Sequence, residues 1–166
     1  MIVLIPIGNI DRTTLEALRR PLQDVYSQRI RIGDSIALPR ESWNEQRGQY
    51  LASRLLAELP SLSQAGDRVL GVADVDIFDP GLNFVFGQAD IADKTALISL
   101  RRLRQEFYGL PLDEDLFGQR ALKEAVHELG HTYGLGHCPE PTCVMHFSNS
   151  LGDTDLKGWS FCLRCQ

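Results

Sequence analysis

His127-Glu-Leu-Gly-His131-Thr-Tyr-Gly-Leu-Gly-His137 is the stretch on which the reading of this chain turns. On a helix, His127 and His131 are four residues apart, so their rings leave one face a turn apart and can share one ion. Glu128 is rotated about 100° from His127, which sets its carboxylate beside the metal as a general base. Gly134 can take positive φ and end the helix at its C′ position. Leu135 and Gly136 then let the chain return and bring His137 as a third ligand. Three protein nitrogens leave the fourth position of a tetrahedral zinc open to water, the mark of a catalytic site. Three of the chain's four histidines fall in this pattern, H-E-x-x-H-x-x-G-x-x-H, which argues against a surface helix carrying histidines by chance.

The chain has 166 residues, enough for one well-buried core, and one domain is expected. Apolar residues make up 43% and charged residues 23%, ordinary values for a globular protein, so disorder is not suggested. The formal net charge is −5 with both signs mixed along the chain, leaving no basic stripe for nucleic acid and no polybasic anchor for a membrane. The apolar run Met1 to Ile7 lacks a basic leader and contains Pro6, so it reads as a first strand and not as a signal or a span. A cytoplasmic monomer without a removable pro-segment is the expectation.

After that strand, Asp11 offers an N-cap. Leu15, Leu18, Leu22 and Val25 form a core-facing stripe over residues 13–26, which Pro21 is expected to break or kink. A strand over 29–38 follows, then a helix over 44–59 stopped by Pro60, with Trp43 as a packing anchor near its start. Residues 69–78 read as one strand with Asp74 and Asp76 on one face. With Asp79 they raise calcium, but the glycine and distal Glu of an EF-hand loop are missing, so a solvated or hydrogen-bonded strand end is preferred. Strands are expected over 83–88 and 95–100, separated by the polar stretch 89–94, and Arg101, Arg102 and Arg104 are assigned to a solvated surface. From Asp113 or Asp115 the active helix begins, with Leu122, Ala125, Val126 and Leu129 as its buried stripe. Gly130 permits close packing behind the ligands.

The four cysteines form two short-spaced pairs, Cys138 with Cys143 and Cys162 with Cys165. Those spacings suit a closed, structural thiolate zinc site, against two disulfides or four unlinked thiols. Zinc would serve as a core for the segment 135–166, which has few aliphatic residues.

Residues 127–137 resemble the zinc signature of the metzincin peptidases, and Met145 stands where that clan has its Met-turn. His137-Cys138, Cys143-Val-Met145 and Cys162-Leu-Arg-Cys165 narrow the resemblance to the archaemetzincins. Arg47-Gly-Gln-Tyr50, Leu70-Gly-Val-Ala-Asp-Val-Asp76, Asn83-Phe-Val-Phe-Gly-Gln88 and Lys123-Glu-Ala-Val126 are also similar to that family. The resemblance implies an α/β (α+β mixed) metzincin-like fold, a twisted mixed sheet with packed helices. An N-terminal part, 1–134, would carry the sheet and active helix, and a C-terminal part, 135–166, the Met-turn and four-cysteine site. It implies two Zn2+ per chain, a catalytic ion on His127, His131 and His137 and a structural ion on Cys138, Cys143, Cys162 and Cys165. His146 matches no ligand position, and a packing or surface role is expected for it.

The expected function is hydrolysis of peptide bonds in a peptide or protein substrate by a zinc-bound water that Glu128 activates. The alternative is a peptide-binding or regulatory zinc protein whose site is hydrolytically silent. Asn83, Phe84, Val85, Phe86, Gly87 and Gln88 are the candidate substrate-binding residues, because they resemble the cleft-lining edge strand of metzincins and an edge strand offers unpaired backbone groups.

Overall fold

The computed structural model describes all residues except 63 and 65. Its centre is a five-stranded sheet of β1 (Ile2–Ile7), β2 (Ile30–Ile32), β5 (Arg68–Ala73), β7 (Gly87–Asp90) and β8 (Thr95–Ser99), in the order β2-β1-β5-β8-β7. All neighbours are parallel except β7, which runs antiparallel to β8 at the edge. Strands buried on both faces carry continuous apolar runs, as β1 does.

Alternation along the strands divides the core. Ile2, Leu4, Leu70, Val72, Ala96 and Ile98 face α1 (Arg12–Tyr26) and α3 (Glu114–Thr132), whereas Val3, Ile5, Ile7, Val69 and Leu97 meet the short helix α2 (Ala52–Leu56). Pro21 does not break α1, which runs on through Tyr26. Leu18 and Leu22 flank it at 3% and 0% exposure, and their burial offsets the roughly 3 kcal/mol cost of an interior proline. Asp11 precedes α1, but its side chain makes no capping hydrogen bond.

Several expected elements are shorter or different. The strand over 29–38 reduces to β2 and an isolated bridge between Ile7 and Ile36. The helix expected over 44–59 is instead a hairpin followed by one turn and a half. β3 (Trp43–Asn44) and β4 (Gln49–Leu51) pair around Gly48 at φ +64°, and only then does α2 begin. Pairing of β4 with β6 (Ile77–Phe78) captures Tyr50 and Leu51 in a second, three-stranded sheet, so tertiary pairing overrides the helical spacing. Trp43 is a surface residue tilted against Tyr50 in this hairpin.

The strand expected over 69–78 is two strands in two sheets, interrupted at Asp74 to Asp76. Those carboxylates are taken by arginines: Arg102 donates to both oxygens of Asp76 at 2.6 and 2.8 Å, and Arg104 pairs with Asp74 at 3.4 Å. Arg102 and Arg104 are therefore locks between segments, not solvated surface, and each also covers a ring, Phe84 or Phe117. No helix among the described residues is long and apolar enough to cross a membrane.

Candidate active site

α3 starts with Asp113, whose carboxylate accepts from the Leu116 amide at 2.9 Å, and carries Glu114 and Asp115 in its first turn, where the helix dipole favours negative charge. It stops in a Schellman arrangement. Gly134, at φ +90°, donates to His131 O and Leu135 donates to Gly130 O. Leu122 is half-buried, while Ala125, Val126 and Leu129 are fully buried against the core. On the same helix His127, Glu128 and His131 line a cleft of about 530 Å³, with His137 arriving from the turn beyond.

The two helical imidazoles are fixed in one tautomer. His127 Nδ1 faces the Val144 carbonyl at 2.8 Å and His131 Nδ1 faces the Leu135 carbonyl at 2.7 Å. A carbonyl only accepts, so each Nδ1 must carry the proton and each Nε2 keeps its lone pair. Those two Nε2 atoms stand 3.1 Å apart. Two lone pairs facing each other at that distance call for a cation between them. Nitrogens each ~2.0–2.1 Å from one tetrahedral zinc lie about 3.3 Å apart. The His137 ring completes the set, its ligand atom within 4.8 Å of the other two. Burial above all, with the Lys157 ammonium next, holds His127 down to about 2 and so neutral, as a ligand must be.

Glu128 is 6% exposed, and burial followed by the neighbouring Glu124 pushes its carboxyl well above the usual range, with Lys157 opposing. Its side chain passes directly under the edge strand. A Cβ at Gly87 would lie 2.5 Å from Glu128 Cγ and 2.5 Å from Leu97 O, so only glycine fits there. The edge strand begins at this glycine, not at Asn83 as expected. Phe84, Val85, Phe86, Gly87 and Gln88 line the cleft, whereas the Asn83 carbonyl faces away to accept from Arg47 and Gln49. Those two residues of the 47–50 stretch thus hold the approach to β7.

Met145 is fully buried beneath α3, where a Cβ at Gly130 would meet its Sδ at 2.5 Å. Replacing Gly130 with Ala in a free helix would gain about 1 kcal/mol. Here overpacking wins, and denaturant unfolding of Gly130→Ala should show a net loss of about 1–3 kcal/mol.

Beside Glu128, with Glu124 itself lining the cleft, lies a buried polar cluster that the sequence did not announce. Lys157, fully buried, pairs with Glu124 at 3.0 Å, and Thr154 donates to the same carboxylate. Arg120 pairs with Asp155 at 2.6 Å, and Lys123 donates to the carbonyls of Thr154 and Asp155. Together they clamp α4 (Leu151–Leu156) to α3. Glu124, one turn before Glu128, was the one hint, and Lys157 carried none. His146 has a packing role: its Nδ1 meets the Cys138 carbonyl at 2.9 Å.

The four cysteine sulfurs gather within 4.8 Å of one another. Cys138 and Cys162 sulfurs stand 3.7 Å apart, far beyond an S–S bond of about 2.05 Å. Sulfurs each about 2.3 Å from one tetrahedral zinc would lie about 3.8 Å apart, so the donor set fits that ion. The backbone N–H of Arg164 brings Cys162 down to about 6, while burial pushes Cys165 up to about 12. Without a cation, a thiolate on one sulfur opposes ionisation of the next.

A sequence model of peptidase family M54 matches residues 8–166. The chain belongs to this family. It is similar to the archaemetzincin of Methanocaldococcus jannaschii, 46% identical across 96% of this chain and 87% of that one. The archaemetzincin of Pyrococcus abyssi is 44% identical across 99% and 92%. Among solved structures, the Archaeoglobus fulgidus archaemetzincin, crystallised with malonate, superposes with a TM-score of 0.85 at 34% identity, covering 99% and 98%. A zinc-dependent peptidase from Methanocorpusculum labreanum superposes at 0.91 and 28%, covering 99% and 97%. This M54 chain is a zinc metallopeptidase with a mixed α/β fold.

Proposed function

We propose that His127, His131 and His137 hold the catalytic zinc, that Glu128 is the general base, and that the four cysteines hold a second, structural zinc. The observation that supports this most strongly is the pair of Nε2 lone pairs converging at 3.1 Å beside a buried carboxylate, at the free edge of the sheet. Zinc, when bound, supplies a Lewis acid for the scissile carbonyl and lowers the pKa of its water to roughly 7. Glu128 takes the proton of the attacking water and returns it to the leaving amine, so no covalent intermediate is needed.

The chain acts as one catalytic domain of two parts, 1–134 and 135–166, sharing a core: Cys138, Cys143, Val144 and Met145 join the cluster that contains α1 and α3. A monomeric state is part of this proposal. Unbonded thiols in a metal-binding cluster fit a reducing compartment such as the cytoplasm. Metal analysis of freshly purified, reduced protein should find two zinc equivalents, the histidine-bound one leaving first under a mild chelator. One equivalent would reject the two-site reading.

Substrate is held by strand addition to β7. The Ser99 amide donates to Phe86 O, and the pairing continues through Gly87 with Ile98 and Gln88 with Leu97. Antiparallel pairs alternate, so Gln88 bonds to β8 while the backbone groups of Gly87 and Ala89 point outward. Proline at 85 would break the bond from its amide to Ile77 O, and proline at 87 would strike Glu128. Ala89→Pro is the clean test, because it deletes one outward donor. A several-fold higher KM with both metals retained is expected, and an unchanged KM would place the substrate elsewhere.

A further inference from the structure

We propose that Asp79 makes the cleft selective for peptides carrying a lysine or arginine at the position beside Gln88, on the side of the edge strand away from the metal. This rests on strand addition in a peptidase cleft. The geometry starts from alternation: Gly87 faces Glu128, so Gln88 faces the opposite side of β7. There its amide Nε2 donates to Asp79 Oδ1 at 3.2 Å. A flipped amide would set its oxygen against the carboxylate, so the orientation follows from chemistry. Gln88 Oε1 is left buried without a donor, which places a second partial negative charge behind Asp79.

Asp79 itself is half-buried and lines the cleft. Its neighbours Asp74 and Asp76 are neutralised by Arg104 and Arg102, but among the described residues no cation pairs with Asp79. Arg47, on the same face, is engaged with the carbonyls of Leu82 and Asn83 and lies over the Phe78 ring. Among the described residues, no lysine or arginine lines the cleft. Leu82, exposed, and Val85 offer an aliphatic wall leading to the carboxylate. A long methylene stem ending in a cation matches that combination, because the stem covers apolar surface while the head reaches Asp79. In an added strand, successive side chains leave on opposite faces, so only alternate substrate residues can reach this subsite.

The test compares peptides identical except for lysine, norleucine or glutamate walked through each position around the scissile bond. Turnover is read with zinc-loaded parent, Asp79→Asn and Asp79→Lys. Binding of the same labelled peptides is read by anisotropy with Glu128→Gln, which does not consume them, alone and combined with each Asp79 change. The parent should favour lysine over norleucine about five- to tenfold at one position, the range of a partly desolvated charge-assisted pair. Asp79→Asn should erase that ratio, and Asp79→Lys should transfer the preference to glutamate at the same position, a reversal that a merely structural role would not produce. A lysine preference that survives Asp79→Asn, or none at any position in binding, overturns the proposal. If binding shows the preference while no peptide is cleaved by the parent, the subsite stands and the hydrolytic reading fails.

Discussion

Replacing Glu128 with glutamine should lower kcat/KM on every cleaved peptide by about 10²- to 10⁴-fold while both metals stay bound. Glutamine has nearly the same shape and fits under Gly87, so the edge strand keeps its place, but it cannot take a proton from water. Melting temperature should hold or rise, because a carboxylate 6% exposed beside Glu124 carries a desolvation cost that the amide lacks. Metal content by atomic emission, steady-state kinetics and a thermal melt on one preparation decide the matter. Near-parental turnover with metal retained would remove Glu128 from the role of base, and loss of metal would instead make it a ligand.

The second large effect is expected at the thiolate cluster. Cys162→Ser should lose one zinc equivalent, lower the thermal midpoint and abolish turnover together. Structural zinc in small domains binds with about 10–16 kcal/mol, comparable to the whole stability of a domain, about 5–15 kcal/mol. The coupling runs through three residues. Cys143 supplies a sulfur, Val144 supplies the carbonyl that fixes His127, and Met145 fills the space that Gly130 leaves under α3. Cys138, another sulfur, is bonded through its amide to Met145 O at 2.9 Å and follows His137 directly. A variant that loses the ion yet keeps its melting curve and its activity would show the two centres to be independent.

The clustering of the three histidines is legible in the sequence because its geometry is local. A four-residue spacing on a helix places His127 and His131, and Gly134 announces the turn before any tertiary contact is known. The first strand and the stripe of α1 are legible for the same reason. What depends on distant partners is not. Residues 49–51 pair with 77–78, and nothing local distinguishes them from a helix start. The edge strand starts at Gly87, later than its apolar residues suggest, because the phenylalanines before it pack on each other and under Arg102. Arg102 and Arg104 look like surface until Asp76 and Asp74 are brought opposite them. Lys157 ends a segment with no motif, and its partner Glu124 lies 33 residues earlier by their numbering.

The hydrogen bond from His127 to Val144 also bears on how this centre could be moved to another protein. A graft of residues 127–137 into a foreign helix and turn would carry all three imidazoles, the carboxylate, and the Leu135 carbonyl that orients His131. It would leave behind the acceptor for His127, which lies 17 residues further along the chain. The transplanted His127 could then protonate either ring nitrogen, and a fraction of molecules would present a proton where a lone pair is required. The smallest transferable unit is therefore the helix together with the loop 143–146, and that loop is shaped by the cysteine cluster.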